Sequence, residues 1–392
     1  MVELVFISQR KRPKRKLFLV SVPCSYKNTL SKHLHSTPQN EKTHSLPHIG
    51  LLPQFASTNR QELKQTSLRN WGIGTAQYSG ITPLDSSRYA VVSDKEPADG
   101  FFLFHITQDP SDGTVTDVRL EGFKGNARPR VNAEGICTRD CEGVAYFPSA
   151  NTVFISGEGD QKILEYGLDG QPTGRELEIP KLFQTENIVP NYGFEALTYD
   201  TVRHTFWTIT ESTLRSDGEA ASPAHPDVQN LLRLQSFGDD LQPGAQYAYR
   251  MDRGVTEKFG KIYVFGVPCL TPLPDGRLLV LEREANIPNG YLGSVCHCKL
   301  FLVNPIAARP IDPSIPLKEI DPNRFLDKRL LAAWTTKMDL TKMNFANYEA
   351  LCPGIRLNDG RQSLLLLCDS QGGFGKGPIH LKDYIKVILI GD

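Results

Sequence analysis

The sequence lacks several features that would assign a function directly. Across its 392 residues, Lys plus Arg and Asp plus Glu both total 44, so the formal net charge is zero. A chain without excess positive charge has no global field that attracts nucleic acid or an anionic membrane, so we expect no nucleic-acid partner. No stretch reaches the roughly 18 to 20 apolar residues needed to cross a bilayer. Any charged binding site must therefore come from a local cluster of residues.

Familiar catalytic motifs are absent as well. The sequence contains no G-x-S-x-G elbow, P-loop, H-E-x-x-H or dinucleotide-binding fingerprint. A serine esterase of the α/β-hydrolase kind is therefore disfavoured. Eight cysteines are present, but they do not settle the compartment. Cys137 with Cys141, or Cys269 with Cys296 or Cys298, could form bridges in an exported protein, and buried free thiols are the alternative.

Residues 1–68 differ in composition from the rest of the chain. A basic run in "QRKRPKRKLFLVSVPC" precedes a short apolar stretch, Leu17 to Val22, which is the order of residues in a secretory signal, although no A-x-A cleavage site follows. From Ser25 to about Arg69 the chain is polar and has little periodicity. We interpret residues 1–68 as a flexible leader with a possible targeting segment, and residues 69–392 as one domain.

Short β-rich runs dominate the chain from about Trp71 onward. Five segments share one plan, in which a small or acidic residue precedes an apolar run, a turn, a second apolar run and a polar or acidic end. They are "SGITPLDSSRYAVVSDK" (79–95), "EGVAYFPSANTVFISGEG" (142–159), "FEALTYDTVRHTFWTITES" (194–212), "CLTPLPDGRLLVLERE" (269–284) and "YEALCPGIRLNDGRQSLLLLCDS" (348–370). The turns contain residues typical of hairpins, and further strands follow several of the pairs.

Repeated small antiparallel sheets bury both faces when they pack radially, which is the β-propeller arrangement. We therefore predict an all-β propeller with five visible blades. "PNRFLDKRLLAAW" (322–334) is typical of an insertion helix, and residues 304–346 could hide a degenerate sixth blade. Alternatively, the final strand "YIKVILI" could close the ring against a strand from near residues 66–75. A β-sandwich followed by a second β domain is the other architecture, but it does not explain why acidic residues recur at similar positions in these segments.

The acids recur at a fixed interval. Glu142 and Glu158 are 16 residues apart, and so are Glu195 and Glu211. If the first strand of a blade lines the channel and the second returns beside it, two acids that are 16 residues apart lie at the same end of the blade. The other blades would contribute, by the same logic, Asp94, Glu282, Glu284, Glu349 and Asp369. We thus predict a cluster of carboxylates at one mouth of the channel.

Clustered carboxylates cannot all be ionised unaided: either the pKa of some of them rises, so that they keep a proton, or a cation neutralises them. Oxygen ligands without matching histidines favour a hard ion, Ca²⁺ before Mg²⁺. As metal ligands we predict Asp94, Glu142, Glu158, Glu211, Glu282, Glu284 and Asp369. The alternative is that these acids pair with arginines or accept backbone N–H bonds between blades.

Several of these stretches also resemble a known family. "RDCEGVAY", "NYGFEALTYD", "LTPLPDGRLLVLERE" and "NYEALCPG…LLLLCDSQ" resemble the phytase-like propeller proteins labelled "esterase-like activity of phytase", from about residue 75 to 390. The resemblance implies a propeller fold, usually an exported location, and, more loosely, hydrolysis of phosphate or other esters. The matching motif positions are Glu142, Glu195, Glu282, Glu284, Glu349 and Asp369. The first blade departs from the pattern, because Ser79-Gly80 replaces an acid and a glycine.

Three functions remain open. The first is a metal-dependent hydrolase of a phosphate or related ester, in which Glu195, Glu349 and Arg283 are catalytic and Lys95 and Arg139 bind substrate. The second is a lactonase-like propeller with one metal and an acid as general base, and the third is a non-catalytic binding propeller. A basic pocket would favour the first, an apolar pocket around a metal the second, and a flat surface the third. We expect a monomer acting on a small-molecule ester outside the cytoplasm, with a cytoplasmic location as the alternative.

Overall fold

Tight turns fold the chain back at short intervals and produce five antiparallel sheets, each with four main strands. The computed structural model describes residues 60–376 and 379–391. Within each sheet, neighbouring strands are mostly consecutive in sequence, so each sheet is a simple meander. The five sheets are the blades of a propeller, and the predicted all-β propeller fold with five blades is confirmed.

The strands of each blade follow one another from the channel outward. Blade 1 contains β3 (Tyr78–Pro83), β4 (Arg88–Ser93), β5 (Gly100–Gln108) and β6 (Val115–Gly125). Blade 2 contains β7 (Cys141–Phe147), β8 (Thr152–Gly157), β9 (Lys162–Gly167) and β10 (Pro172–Glu176). Blade 3 contains β11 (Phe194–Asp200), β12 (Thr205–Thr210), β13 (Leu231–Gly238) and β14 (Pro243–Arg250). Blade 4 contains β15 (Ile262–Pro272), β16 (Leu278–Ile287), β17 (Ser294–Val303) and β18 (Lys328–Met338). Blade 5 contains β19 (Asn347–Arg356), β20 (Gln362–Asp369), β23 (Tyr384–Ile390) and β1 (Arg60–Glu62), with β2 (Thr66–Ser67) also paired to β23. The short pair β21 (Gly375–Lys376) and β22 (Ile379–His380) stands apart.

The ring is closed by an N-terminal strand. Strand β23 pairs with β1 on its outer side and with β2 nearer its beginning. Of the two closures considered from the sequence, the structure therefore has the one in which the last strand meets an N-terminal strand. Both β1 and β2 lie within the residues assigned above to the leader, but they belong to the sheet of blade 5. Residues 1–59, with the proposed targeting segment, lie outside the described residues.

The prediction of an insertion helix at residues 322–334 is wrong. Residues Pro322–Arg324 form one short 3-10 turn, and Lys328–Met338 form strand β18, the outer strand of blade 4. Pairing with β17 along its whole length overrides the helical tendency of "LLAAW", because the open edge of β17 needs hydrogen-bond partners. Residues 304–346 thus supply an outer strand, and no sixth blade occurs among the described residues.

Helical structure is limited to five short 3-10 segments in the described part of the chain. They are η1 (Leu68–Trp71), η2 (Lys181–Phe183), η3 (Pro305–Ala307), η4 (Leu317–Glu319) and η5 (Pro322–Arg324). None of the helices in residues 60–376 and 379–391 has the length and apolar character of a membrane span.

The core is divided among the interfaces between blades. Five large clusters of buried apolar side chains each join two neighbouring blades. Between blades 2 and 3, for example, the rings of Phe154 and Phe206 lie 4.7 Å apart. Because a single blade cannot bury both of its faces, stability depends on the closed ring. The seven cysteines in the described part of the chain are buried free thiols.

Candidate active site at the mouth of the channel

Every innermost strand has a β-bulge at the same level of the channel. The pairing register of the first two strands shifts at this point in all five blades. The bulged residues include Ser79, Glu142, Glu195, Pro268 and Glu349. A bulge redirects a side chain, and bulges are common beside active sites. Three of the five blades therefore direct a glutamate into the mouth of the channel.

Small residues beside the bulges let neighbouring strands come close. A Cβ atom on Gly143 would lie 2.6 Å from the carbonyl oxygen of Glu195, and one on Gly80 would lie 2.4 Å from that of Glu142. Such distances are shorter than any real contact, so glycine is required at both positions. This close packing brings the bulged residues of blades 1, 2 and 3 near one another.

The second strand of each blade returns to the same level. In blade 3, Ala196 pairs with Ile209, and Glu211 follows two residues later. The same count from the bulge identifies the equivalent residues in all five blades, Asp94, Glu158, Glu211, Arg283 and Asp369. Four blades thus place an acid here, and blade 4 places an arginine.

These residues line a cavity of about 480 Å³. Its carboxylates are Asp94, Asp140, Glu142, Glu158, Glu195, Glu211, Glu349 and Asp369. Its cationic side chains are Lys95, Lys261 and Arg283. Eight potential negative charges therefore face three positive ones. Sequence reasoning missed Asp140 and Lys261 because both lie outside the repeated hairpins, although Asp140 is only two residues before Glu142.

Arg283 is bonded within the cluster. Its side chain is 2% exposed and donates from Nη1 to Glu349, at 2.9 Å, and to the Asn347 amide oxygen, at 2.7 Å. Its Nη2 donates to Glu211. Burial opposes the charge on Arg283, but Glu211 and Glu349 together raise its pKa above the ordinary value. The guanidinium is therefore a permanent counter-charge for two blades.

Lys95, unlike Arg283, is exposed. Its Nζ lies 2.8 Å from Asp94 and 2.5 Å from Asp140, and its side chain is 41% exposed. Glu158 accepts a hydrogen bond of 2.8 Å from the backbone N–H of Gly193. Some of the acids thus have the partners that a purely structural role would give them.

The carboxylates of Glu142 and Glu195 lack such partners among the described residues. In the described part of the chain neither carboxylate accepts a hydrogen bond, although both residues are buried. Carboxylate oxygens of Glu142, Glu158 and Glu195 all lie within 4.8 Å of one another. Those of Asp94, Asp140 and Glu142 form a second such group. Glu142 therefore belongs to both groups.

The pKa values reflect this crowding. Burial raises the pKa of Glu142 well above its ordinary value, and the charge of Glu195 adds to this effect. Burial likewise raises the pKa of Glu195, with Glu211 as the next cause. Burial also raises the pKa to about 7 for three of the others, Asp94, Glu211 and Glu349. Without a bound cation, several of these acids would carry a proton at neutral pH.

The sequence matches one known family over most of its length. A family model described as "Phytase-like: Esterase-like activity of phytase" matches residues 73–371. The chain belongs to this phytase-like family. No curated protein sequence matches the chain.

Solved structures resemble the phytase-like chain only distantly. The alpha-L-arabinanase of Penicillium chrysogenum, complexed with arabinobiose, is 11% identical, with a TM-score of 0.40 over 83% of this chain and 98% of that one. Virginiamycin B lyase of Staphylococcus aureus is 12% identical, with a TM-score of 0.32 over 86% of this chain and 100% of that one. A chain of the nidogen/laminin complex is 11% identical, with a TM-score of 0.32 and coverages of 79% and 84%. Similarities of this size carry no information about function.

Three residues predicted for the site lie elsewhere in the phytase-like propeller. Alternation along β16 turns Glu282 and Glu284 away from the face that carries Arg283. Glu282 accepts hydrogen bonds from Tyr249 and Lys328, and Glu284 accepts them from the backbone of residues 255 and 256. Arg139 is buried in blade 2, where it donates to the Tyr166 hydroxyl at 2.9 Å. These side chains therefore do not line the cavity.

Proposed function

We propose that this phytase-like propeller is a calcium-dependent hydrolase of a small ester and that the cavity at the channel mouth is its active site. The observation that carries the proposal is the pair of carboxylate groups that share Glu142. Two buried glutamates without hydrogen-bond donors, in a cavity with eight acids and three cations, leave a deficit of positive charge. A divalent cation would remove that deficit.

The donor set fits Ca²⁺. Calcium takes six to eight oxygen ligands at about 2.3–2.6 Å, so two ligands of one ion are at most about 5 Å apart. The carboxylate oxygens of each group lie within 4.8 Å of one another, which agrees with that limit. In addition, Oδ1 of Asp94 is buried without a hydrogen-bond partner. Asp94, Asp140 and Glu142 would hold one ion, and Glu142, Glu158 and Glu195 offer a second position.

Ester hydrolysis joins the oxygen of water to the acyl carbon or phosphorus and releases an alcohol, so one proton must leave the water and one must reach the leaving oxygen. A bound calcium ion would supply Lewis-acid polarisation of the ester and would make a nearby water more acidic. Glu349, whose pKa burial raises to about 7, is suited to accept a proton at neutral pH and to return it. Glu195 is the second candidate for this role, because it faces the same cavity.

Arg283 would act through its neighbours. Its Nη atoms are occupied by Glu211, Glu349 and Asn347, so it is not available to clamp a phosphate with both of them. We therefore assign Arg283 as a positioning residue that fixes the orientation of Glu349. Lys95 lies at the mouth of the cavity and is the better candidate for contact with substrate.

A lactonase-like reaction is the second candidate function. Apolar side chains of blade 4, among them Ile262, Val264 and Ile287, line the side of the cavity next to the acids. An apolar pocket beside a metal position is the feature that favours a lactone, which is itself a cyclic ester. An extracytoplasmic location suits both functions, because calcium sites of extracellular proteins bind with dissociation constants of about 10⁻⁴ to 10⁻³ M.

The experiment measures hydrolysis of p-nitrophenyl acetate and p-nitrophenyl phosphate by the full chain, with added Ca²⁺ and with a chelator. We expect calcium-dependent turnover of at least one ester. Glu349→Gln should lower kcat by at least about 100-fold, which is the lower range of a lost general base, and the same loss in Glu195→Gln alone would assign the role to Glu195. Glu176→Gln is the matched control, because Glu176 is exposed and pairs with Lys162 on the outer strand of blade 2.

Two results would contradict the proposal. Turnover that persists with the chelator would show that hydrolysis does not depend on calcium. A folded protein that neither binds calcium nor hydrolyses any ester would leave the third possibility, a binding propeller whose buried acids are structural.

A further inference from the structure

The cavity at the channel mouth has two unlike sides. The carboxylates described above form one side. The other side consists of apolar residues from blade 4 and nearby segments, namely Ile262, Val264, Ala285, Ile287, Tyr291, Phe345, Phe374 and Leu381. We call these residues the apolar wall. The proposed hydrolysis uses the acidic side, and part of the wall favours the lactonase-like candidate, but neither assigns a ligand to the wall as a whole.

The wall exists because blade 4 is longer than the other blades at this end. In β15 the residues Ile262 to Gly266 precede the bulge, whereas one or two residues precede it in the other innermost strands. The pairs Ile262 with Ile287 and Val264 with Ala285 continue the face that carries Arg283. From Arg283 to Ile287 the strand rises about 13 Å. The wall therefore stands directly above the charged base of the cavity.

Part of the wall is open to solvent. Ile262 is 41% exposed and Phe374 is 58% exposed. The ring of Phe374 lies 6.2 Å from that of Tyr291, so two separate turns bring aromatic side chains together at the rim. Exposed apolar side chains grouped beside a polar cavity are typical of a ligand-binding groove.

The charges of the cavity limit what can bind there. Lys95 is paired with Asp94 and Asp140, and Arg283 is paired with Glu211 and Glu349. Lys261 is the one cavity cation without an ion pair among the described residues. A substrate with several phosphate groups needs several cations, and the carboxylates repel it unless bound calcium neutralises them. Among the described side chains of the cavity only Lys261 is free to meet such a polyanion, whereas an uncharged ester needs no counter-charge.

We propose that the ligand of this cavity is an uncharged carboxylic ester or lactone whose apolar chain packs against the apolar wall, and not a densely phosphorylated molecule. This inference rests on the proposed hydrolase function for its chemistry. The ester group would lie over Glu142, Glu195 and Glu349, and the chain would extend along β15 and β16 toward Phe374. The wall then selects the acyl or alkyl group, and the acids act on the ester.

The first experiment compares three substrates with the calcium-loaded full chain: p-nitrophenyl acetate, p-nitrophenyl butyrate and inositol hexakisphosphate. We expect kcat/KM for the butyrate to exceed that for the acetate by about tenfold, the lower value for added methylenes in an apolar pocket. No phosphate release is expected from the third substrate. Phosphate release without a preference for the longer ester would overturn the inference while leaving a hydrolase.

Variants of the wall provide the second part of the test. Ile262→Ser and Phe374→Ala should each reduce the ratio of butyrate to acetate activity by about threefold or more, because the chain loses apolar contact. Val202→Ser is the matched control, since Val202 is 59% exposed in a turn at the opposite end of blade 3. Unchanged ratios in both wall variants would overturn the role of the wall.

A binding measurement separates this inference from the proposed function. Calorimetry with the ketone analogue of ethyl butyrate, which cannot be hydrolysed, reports the ligand class without any turnover. We expect binding to the unmodified chain that weakens in Ile262→Ser and is unaffected in Val202→Ser. Ketone binding without turnover of any ester would contradict the hydrolase and support the ligand class. Absence of ketone binding would overturn the ligand class.

Discussion

Blade 4 and the other four blades occupy equivalent places in the ring but differ at the channel mouth. At the bulge, three of the others carry a glutamate and blade 1 carries Ser79, whereas blade 4 has Pro268. On the second strand the other four carry an acid, whereas blade 4 has Arg283. Blade 4 also has the longer inner hairpin. One repeat has therefore taken a different role from the rest.

The difference shows how a ring of similar blades can hold a concentrated charge. Burial and mutual repulsion raise the pKa of Glu142 and Glu195, and a further acid from blade 4 would increase that repulsion. Arg283 instead supplies a counter-charge between blades 3 and 5. The longer hairpin adds an uncharged side to the cavity. Four blades thus provide the acids, and blade 4 provides the counter-charge for two of them, Glu211 and Glu349.

Removal of the arginine should have the largest effect. We expect Arg283→Met to lower the free energy of unfolding by about 3–5 kcal/mol at pH 8 in the presence of a chelator, because Glu211 and Glu349 would lose their buried counter-charge. Urea unfolding followed by circular dichroism measures this change. Arg329→Met is the control, since Arg329 is exposed on the outer strand of the same blade. A loss below about 1 kcal/mol would show that the arginine is dispensable.

The next largest expected effect is a loss of calcium affinity, which should depend on the blade that carries the substituted acid. We expect Glu142→Gln to weaken calcium binding by at least about tenfold, because ligand charge determines calcium affinity and Glu142 belongs to both carboxylate groups. Glu284→Gln should leave the affinity unchanged, because Glu284 bonds to the backbone of residues 255 and 256 outside the cavity. Isothermal titration calorimetry on both variants makes the comparison. Equal losses would mean that blade 4 also contributes a ligand.

The pH dependence of stability tests the same cluster without a mutation. Burial raises the pKa of Asp94, Glu211 and Glu349 to about 7 in the folded chain, above their value of about 4 in the unfolded chain. Between these values the folded state binds more protons, so its stability falls as pH rises from about 4 to about 7. Acids whose pKa is lowered, such as Asp85 at about 2, are already ionised in this range.

We therefore expect the chelated protein to have a higher Tm at pH 5 than at pH 8, and calcium to raise the Tm more at pH 8 than at pH 5. Differential scanning calorimetry at the two pH values, with calcium and with chelator, provides the measurement. A chelated protein that is at least as stable at pH 8 would contradict the raised pKa values.

The sequence predicts much of this arrangement because hairpin geometry is local. The interval from Glu195 to Glu211 follows from one short turn and strand alternation, and the structure brings both residues to one cavity. In blade 4 the sequence predicted Glu282 and Glu284 at the cavity, but the residue that faces the cavity is Arg283, which lies between them. A shift of one residue moves a side chain to the opposite face of a strand, and only the pairing of Cys269 with Leu281 fixes the phase.

Other features depend on contacts that no short segment contains. Asp140 and Lys261 lie in connections between blades, so no repeat places them. The strand at Lys328–Met338 forms because β17 needs a partner, which the local sequence does not reveal. The apolar wall likewise depends on two turns, at Tyr291 and Phe374, that meet only in the folded ring.

The smallest expected effect concerns Lys95, which is exposed, in contrast to the buried Arg283. Lys95→Met should change the free energy of unfolding by less than about 1 kcal/mol, because exposed ion pairs contribute little. It should nevertheless strengthen calcium binding by about threefold, since Lys95 competes for Asp94 and Asp140, two of the carboxylates offered to the ion. Calorimetry of calcium binding at low ionic strength measures this difference. Weaker binding would instead mean that Lys95 holds the two carboxylates in position, as Arg283 of blade 4 does for Glu211 and Glu349.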